Sequence, residues 1–298
     1  MFLLILIGVT AKKIKLVTVD AAGQFSSIVS CFVVPMVMIN ALQIKRNPDS
    51  LKSFWLAVGL AVLFHIIAIV GATFLVNKRD PRYKFERMAM ASSNAGFMAL
   101  PLVEAVMGNE ALLYATGFLT VFNLVVWSWS EITVGGRRFH IANLVQPATI
   151  GVVIGMALFL LDVALPQATL GKWVGFMASL NTPLAMIILG VFIADINIKN
   201  TLTNPRAYWV VLFKNFLFPL LIVGIAALLH IPSWFPEAKN VATTIAISAS
   251  APSAVSTVLV AAKYRGDSVY SAQLIALSTL VSIVSIPLLV LVANTILI

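Results

Sequence analysis

Long apolar stretches, separated by charge, Pro or Gly, set the rhythm of the chain. A helix needs roughly 20 apolar residues to cross hydrocarbon. Stretches near that length run at Ala21–Ile44, Phe54–Val76, Phe85–Met107, Ala111–Val134 and Ile141–Leu165. Four more follow at Val174–Ile196, Tyr208–Leu229, Val241–Ala262 and Ala272–Ile298. A shorter apolar piece, Phe2–Ala11, precedes them. It has no basic residue before it and no small-residue cleavage site after it, so it reads as a clipped first helix rather than a signal peptide. The pattern predicts an all-α membrane protein with about ten transmembrane helices and no room for a sizeable extramembrane domain.

Composition sharpens that picture. The chain is 60% hydrophobic and 10% charged, with a mean hydropathy of +1.01, far from soluble domains. Its net charge of +9 would suit nucleic acid in a soluble protein, but the basic residues cluster in loops, as cytoplasmic retention of loops requires. One set of alternate loops carries fourteen of them, Lys12, Lys13, Lys15, Lys78, Arg79, Arg82, Lys84, Arg87, Arg137, Arg138, Lys199, Arg206, Lys263 and Arg265. The other set carries five, Lys45, Arg46, Lys52, Lys172 and Lys239. This places the first set in the cytoplasm and both termini outside, in the cytoplasmic membrane. The single cysteine, Cys31, excludes an internal disulfide and a cysteine-rich metal site, and reads as a small packing residue.

Self-comparison predicts an internal repeat. Asn94–Gly108 aligns with Pro252–Gly266 at an offset of 158, and V-V-P-M-V-M-I around Pro35 resembles N-T-P-L-A-M-I around Pro183. Five helices per half is odd, so the second half must enter the membrane the other way up. The halves are residues 1–134 and 141–298, joined by a cytoplasmic linker at 135–140. They form two inverted five-helix repeats, with broken crossing helices 4 and 9.

Those breaks carry the candidate chemistry. Helix 4 contains S-S-N-A-G at Ser92–Gly96 with Pro101 beyond, and helix 9 contains S-A-S-A-P-S at Ser248–Ser253. Pro lacks an N–H and clashes with the preceding turn, so backbone groups are freed at mid-span. In hydrocarbon such groups need protein, water or a ligand, which implies a lined cavity. In the predicted topology both second halves start at the break, and their N-termini offer N–H groups and partial positive charge to a carboxylate. Ordinary proline kinks are the competing account, weakened by the matched positions in the two halves.

The candidate substrate-binding set is Asn94, Ala95, Gly96, Pro101, Asn123, Lys214, Ser250, Ala251, Pro252 and Ser253. The Asn94 amide would donate to a substrate oxygen or satisfy freed carbonyls. Asn123 would face the substrate or bond a neighbouring helix. Ser250 and Ser253 would offer hydroxyls to the ligand or cap helices. Lys214, about seven residues inside helix 8, would attract an anion or snorkel to the interface. His65 reads as a proton relay or a bonded packing residue. Glu104, Glu131, Asp162 and Asp195 sit near helix ends, where interfacial solvation accounts for them.

The runs N-A-G-F-M-A-L-P-L-V-E-A-V-M-G-N-E-A-L from Asn94, F-N-L-V-V-W from Phe122 and A-P-S-A-V-S-T-V-L-V-A-A-K-Y-R-G-D from Ala251 resemble the auxin efflux carrier family, which includes plant auxin carriers and bacterial malate permeases. The resemblance implies a ten-helix fold related to bile acid symporters. It gives Asn94 the role of the crossover asparagine and Pro252 that of the crossover proline; Pro101 also matches. Helix 1 is short, and the long loop of plant members is reduced here to Gly135–His140, so a bacterial-type permease fits better than an auxin carrier.

The function expected is a secondary transporter of a mono- or dicarboxylate such as malate. A sodium-coupled organic anion symporter is the alternative, although the centre of helices 4 and 9 supplies no Asp or Glu for a cation cage. An enzyme is not supported: H-E-x-x-H, G-x-S-x-G and P-loop patterns are missing from the sequence. The expected partners are a small organic anion, the lipid bilayer and protons, with a homodimer as the candidate assembly. No nucleic acid, cofactor or metal is expected.

Overall fold

The computed structural model describes residues 2–43, 48–136, 145–194, 201 and 203–297. Most of the expected 135–140 linker lies outside the described residues, as do Lys45, Arg46, Arg137, Arg138, Asp195 and Lys199. The described chain is helical throughout. In order the helices are α1 (Phe2–Lys13), α2 (Val19–Ala41), α3 (Pro48–Leu75), α4 (Tyr83–Ala91), α5 (Ala95–Met107) and α6 (Leu112–Val125), the last continued by a π turn at Val126–Ser130 and a short helix at Glu131–Gly135. Then come α7 (Pro147–Leu160), α8 (Leu170–Ile193), α9 (Pro205–Leu228), α10 (Ala238–Ser250), α11 (Ser256–Lys263) and α12 (Ser268–Ile296). By length and composition, α2, α3, α8, α9 and α12 are able to cross a membrane; α5 and α7 are shorter apolar helices.

Polarity is distributed for lipid. Phe74, Leu161, Phe176 and Leu228 are exposed, whereas Ser93, Lys214, Asn215, Ser248, Ser253 and Ser278 are buried completely. Buried polar groups need partners, so the interior is where hydrogen bonds organise the fold.

Prolines shape the long helices. Each of α2, α5 and α9 contains a π-helical turn, at Val29–Val33, Ala95–Ala99 and Phe213–Leu217, and Pro35, Pro101 and Pro219 each follow two residues later. A proline cannot donate to the carbonyl four residues before it and crowds that carbonyl. Here those carbonyls belong to Cys31, Phe97 and Asn215, each inside the π turn, where the wider coil relieves the crowding.

Glycine lets α1 dock. Gly8 of α1 faces Gly190 of α8 so closely that a methyl on Gly8 would lie 2.0 Å from the Ile187 carbonyl oxygen. Small residues at such crossings let backbones meet when no hydrophobic effect drives helices together in lipid.

A charged cluster joins the starts of α4, α9 and α12. Arg206 holds the buried Glu86 through two bonds, Nε to Oε1 and Nη2 to Oε2, the latter at 2.8 Å, and the Tyr270 hydroxyl donates to Glu86 at 2.7 Å. Asp80 accepts from Arg82 at 2.9 Å and from Arg206 at 2.7 Å. The Arg82 guanidinium lies over the Tyr270 ring. Hydrogen bonding by Arg82 holds the Asp80 carboxyl down, from 3.8 to about 2.

Candidate functional site

The helix 4 and helix 9 stretches are both interrupted, and the interruptions cross. α4 stops at Ala91 and α5 starts at Ala95; α10 stops at Ser250 and α11 starts at Ser256. Between them the two unwound segments run antiparallel and pair like strands at Ser93 and Ser253. The Asn94 N–H donates to the Pro252 carbonyl at 2.7 Å, and the Ala254 N–H to the Ser92 carbonyl at 2.9 Å. The serines reciprocate. The Ser93 hydroxyl donates to the Ala249 carbonyl at 3.0 Å and the Ser253 hydroxyl to the Ala89 carbonyl at 2.9 Å. Each unwound serine thus satisfies a carbonyl near the end of the opposite helix, one of those a helix terminus leaves open.

This reciprocity relates Ser93 to Ser253 and Ala89 to Ala249, an offset of 160, two residues from the 158 of the sequence alignment. At this offset the counterpart of Asn94 is Ala254, while its bonded partner across the crossing is Pro252. Apolar helices align easily at neighbouring registers; main-chain pairing does not.

Two chambers flank the crossing. The first, of about 290 Å³, is lined by Asn94, Gly96 and Phe97 from the start of α5, and by Ala254, Val255 and Ser256 at the start of α11. Asn123 and Cys31 complete part of its wall. Two helix starts face this one space with the positive ends of their dipoles, although the Ala95, Thr257 and Val258 N–H groups are taken by the Ser93, Ala254 and Val255 carbonyls. Asn94 is 4% exposed, and its amide nitrogen has no hydrogen-bond partner among the described residues; the Ser256 hydroxyl is likewise unpartnered. The second chamber, of about 650 Å³, is lined by Asn40, Gln43, Pro101, Glu104, Asn181 and Thr182, among others. One contact links the two linings: the Asn181 amide, from the second, donates to the Gly96 carbonyl, in the first, at 2.9 Å.

The candidate residues therefore divide by place. Asn94, Gly96 and Asn123 line the first chamber and Pro101 the second, while Ala95, Lys214, Ser250, Ala251, Pro252 and Ser253 line neither. Ser250 bonds the Ile247 carbonyl within its own helix, and both it and Ser253 spend their hydroxyls on backbone rather than facing a ligand. Asn123 bonds its own helix at Leu119, which corrects the expected bond to a neighbour. Lys214 does not snorkel: it is wholly buried, and its ammonium donates to Ser93 Oγ at 2.9 Å, to the Ala249 carbonyl at 2.6 Å and to the Ala251 carbonyl at 2.8 Å. Cys31 is exposed on the chamber wall, where a packing role was expected. His65 bonds the Ala61 carbonyl and packs between Phe64 and Phe118.

Sequence reasoning missed Asn181, Asn215 and Ser278. Asn181 was visible in the N-T-P motif that aligned with Pro35. Asn215 donates to the Ser278 carbonyl at 3.0 Å, and the Ser278 hydroxyl accepts from the Ser253 N–H at 2.7 Å, so both brace the crossing from outside the repeat motifs.

A lipid-suited exterior around a polar crossing with paired helix starts defines a multi-pass helical membrane protein with an internal chamber. Comparison with known proteins gives its class: residues 1–139 and 136–290 match the membrane transport protein family, and the chain belongs to that family. An uncharacterized transporter of Methanothermobacter thermautotrophicus is 27% identical over 206 residues, covering 67% of this chain and 65% of the relative, just under two thirds of its length. The antiholin-like protein LrgB of Bacillus cereus is 24% identical over 194 residues, covering 64% of this chain and 78% of that protein.

Proposed function

We propose that this protein is a secondary transporter that moves a small organic anion, a mono- or dicarboxylate such as malate, across the cytoplasmic membrane by alternating access. The carrying observation is the first chamber: two helix starts and the unpartnered Asn94 amide converge on one space of about 290 Å³. That volume is at the small end of ligand pockets. Helix starts favour negative charge, and a carboxylate accepts the N–H groups that the helices leave open. The second chamber supports alternation, because α2, α5 and α6 line both chambers and the Asn181 to Gly96 bond links the two linings.

The architecture that suits this reading is a pair of inverted five-helix repeats making about ten crossings, with both termini outside. The reciprocal serine bonds at an offset of 160 support it, as do the family matches to each half of the chain. The resemblance to bacterial malate permeases of the auxin efflux carrier family points the same way. In this scheme Asn94 donates to the guest's carboxylate, Gly96 lets the guest approach the backbone, and Asn123 sits across the chamber.

Uptake of labelled carboxylates into proteoliposomes is the test. Wild type is expected to accumulate at least one of them above protein-free vesicles, and Asn94→Ala to lower uptake by roughly tenfold, the worth of one hydrogen bond to a charged group. No uptake across a carboxylate panel, beside a working control carrier, sinks the proposal; unchanged uptake by Asn94→Ala removes that residue from it.

A further inference from the structure

Lys214 has no place in the scheme above, yet its ammonium makes three hydrogen bonds deep inside the molecule. It stands in the π turn before Pro219, wholly buried, with the Phe64 ring face 5.7 Å from its nitrogen. No carboxylate among the described residues pairs with it. Its three acceptors are neutral: Ser93 Oγ and the carbonyls of Ala249 and Ala251. The Ser93 hydroxyl gives its own proton to the Ala249 carbonyl, so its oxygen can only accept from the lysine. Three acceptors match the three donors of an ammonium, whereas a neutral amine has only two. The geometry therefore holds the charged form.

Those carbonyls are at the terminus of α10, the negative end of a helix dipole, where the last C=O groups lack intrahelical partners. Half-helix C-termini and unwound carbonyls of this kind are where many carriers coordinate a free cation. In this chain consecutive side chains close that position: Lys214 takes the carbonyls of Ala249 and Ala251, and Asn215 reaches the Ser250 carbonyl at 3.4 Å.

We propose that Lys214 is a tethered cation, which permanently fills the electronegative side of the crossing and makes a free alkali cation unnecessary there. It acts as a positioning residue, fixing Ser93 next to Asn94. Its link to transport rests on the function proposed above; its occupancy of the cation position does not.

The test separates the two by measuring unfolding of purified protein in detergent, in sodium chloride against choline chloride at matched ionic strength. Wild type is expected to melt at the same temperature in both. Lys214→Ala is expected to melt lower in choline by roughly 5 °C or more, since a buried hydrogen-bonded charge is lost. Sodium or methylammonium should restore at least half of that loss, because either binds only the folded variant. Lys214→Arg, which keeps the charge, should remain indifferent to sodium. A Lys214→Ala variant that folds and ignores both cations overturns the proposal. If that variant does not fold, wild type still decides: a midpoint raised by sodium over choline overturns the proposal, and an unchanged one upholds it. Failure of carboxylate uptake would leave these melting results standing.

Discussion

Cys31 is the chain's only thiol, and its exposed side chain stands on the wall of the first chamber. It is a built-in reporter for that space. A membrane-impermeant thiosulfonate is expected to modify wild type and not Cys31→Ser, and a transported carboxylate should slow the modification. At a ligand concentration about ten times its Kd the slowing is roughly tenfold, followed by mass spectrometry. Labelling that ignores every carboxylate would place the binding site elsewhere. Sequence alone suggested a packing role, because a small residue in an apolar run gives no sign of which way it points. The π turn at Val29–Val33 contains Cys31, and one extra residue per turn changes the facing of everything within it. Lys214 was legible as a charge inside a span, but its acceptors lie 35, 37 and 121 residues away in the chain, a pairing that no local pattern encodes.

Most helices could be read from apolar length, and both interruptions from small polar residues followed by proline. Their local chemistry dictates them: serines that prefer backbone partners and a proline that cannot donate. The crossing register could not be read, since shifting one apolar helix against another by two residues changes little in composition. Three of the π turns had a visible cause in Pro35, Pro101 and Pro219, whereas the one at Val126–Ser130 has no proline after it; nor does the sequence say whether a proline will kink a helix or widen it. At this scale the α1 to α8 contact is open to direct test. Gly8→Ala places a methyl 2.0 Å from the Ile187 carbonyl oxygen and must push the helices apart. It is expected to cost about 1–3 kcal/mol, as overpacking does elsewhere, and to lower the melting temperature in detergent. Gly23→Ala, whose methyl meets nothing within 4 Å, is the control and should be neutral or slightly stabilising. Equal behaviour of the two variants would refute the close contact.

Across the whole molecule, the inversion of polarity was evident from composition: a chain this apolar must place its few polar groups inside. The cluster that ties α4, α9 and α12 was not evident, because Glu86, Arg206 and Tyr270 are remote in sequence and no local pattern links them. An acid response of stability is expected from it. Asp80 titrates near 2 when folded and at 3.8 when free, so its contribution is complete above the free value and is lost as pH falls through about 2. The melting difference between wild type and Asp80→Asn should therefore be constant from neutral pH to about pH 5 and shrink below about pH 4. A difference that grows with acid would contradict the bonding of Asp80 to Arg82 and Arg206.

Besides the serine hydroxyls, the crossing is joined through main-chain atoms, with Asn94 and Ala254 donating from their amide nitrogens. Such a joint is indifferent to which side chains those two positions bear. If the chamber is the binding site proposed above, the parts that arrange it are thereby separate from the wall that meets a guest, and exchanging wall residues would change selectivity while leaving the joint intact.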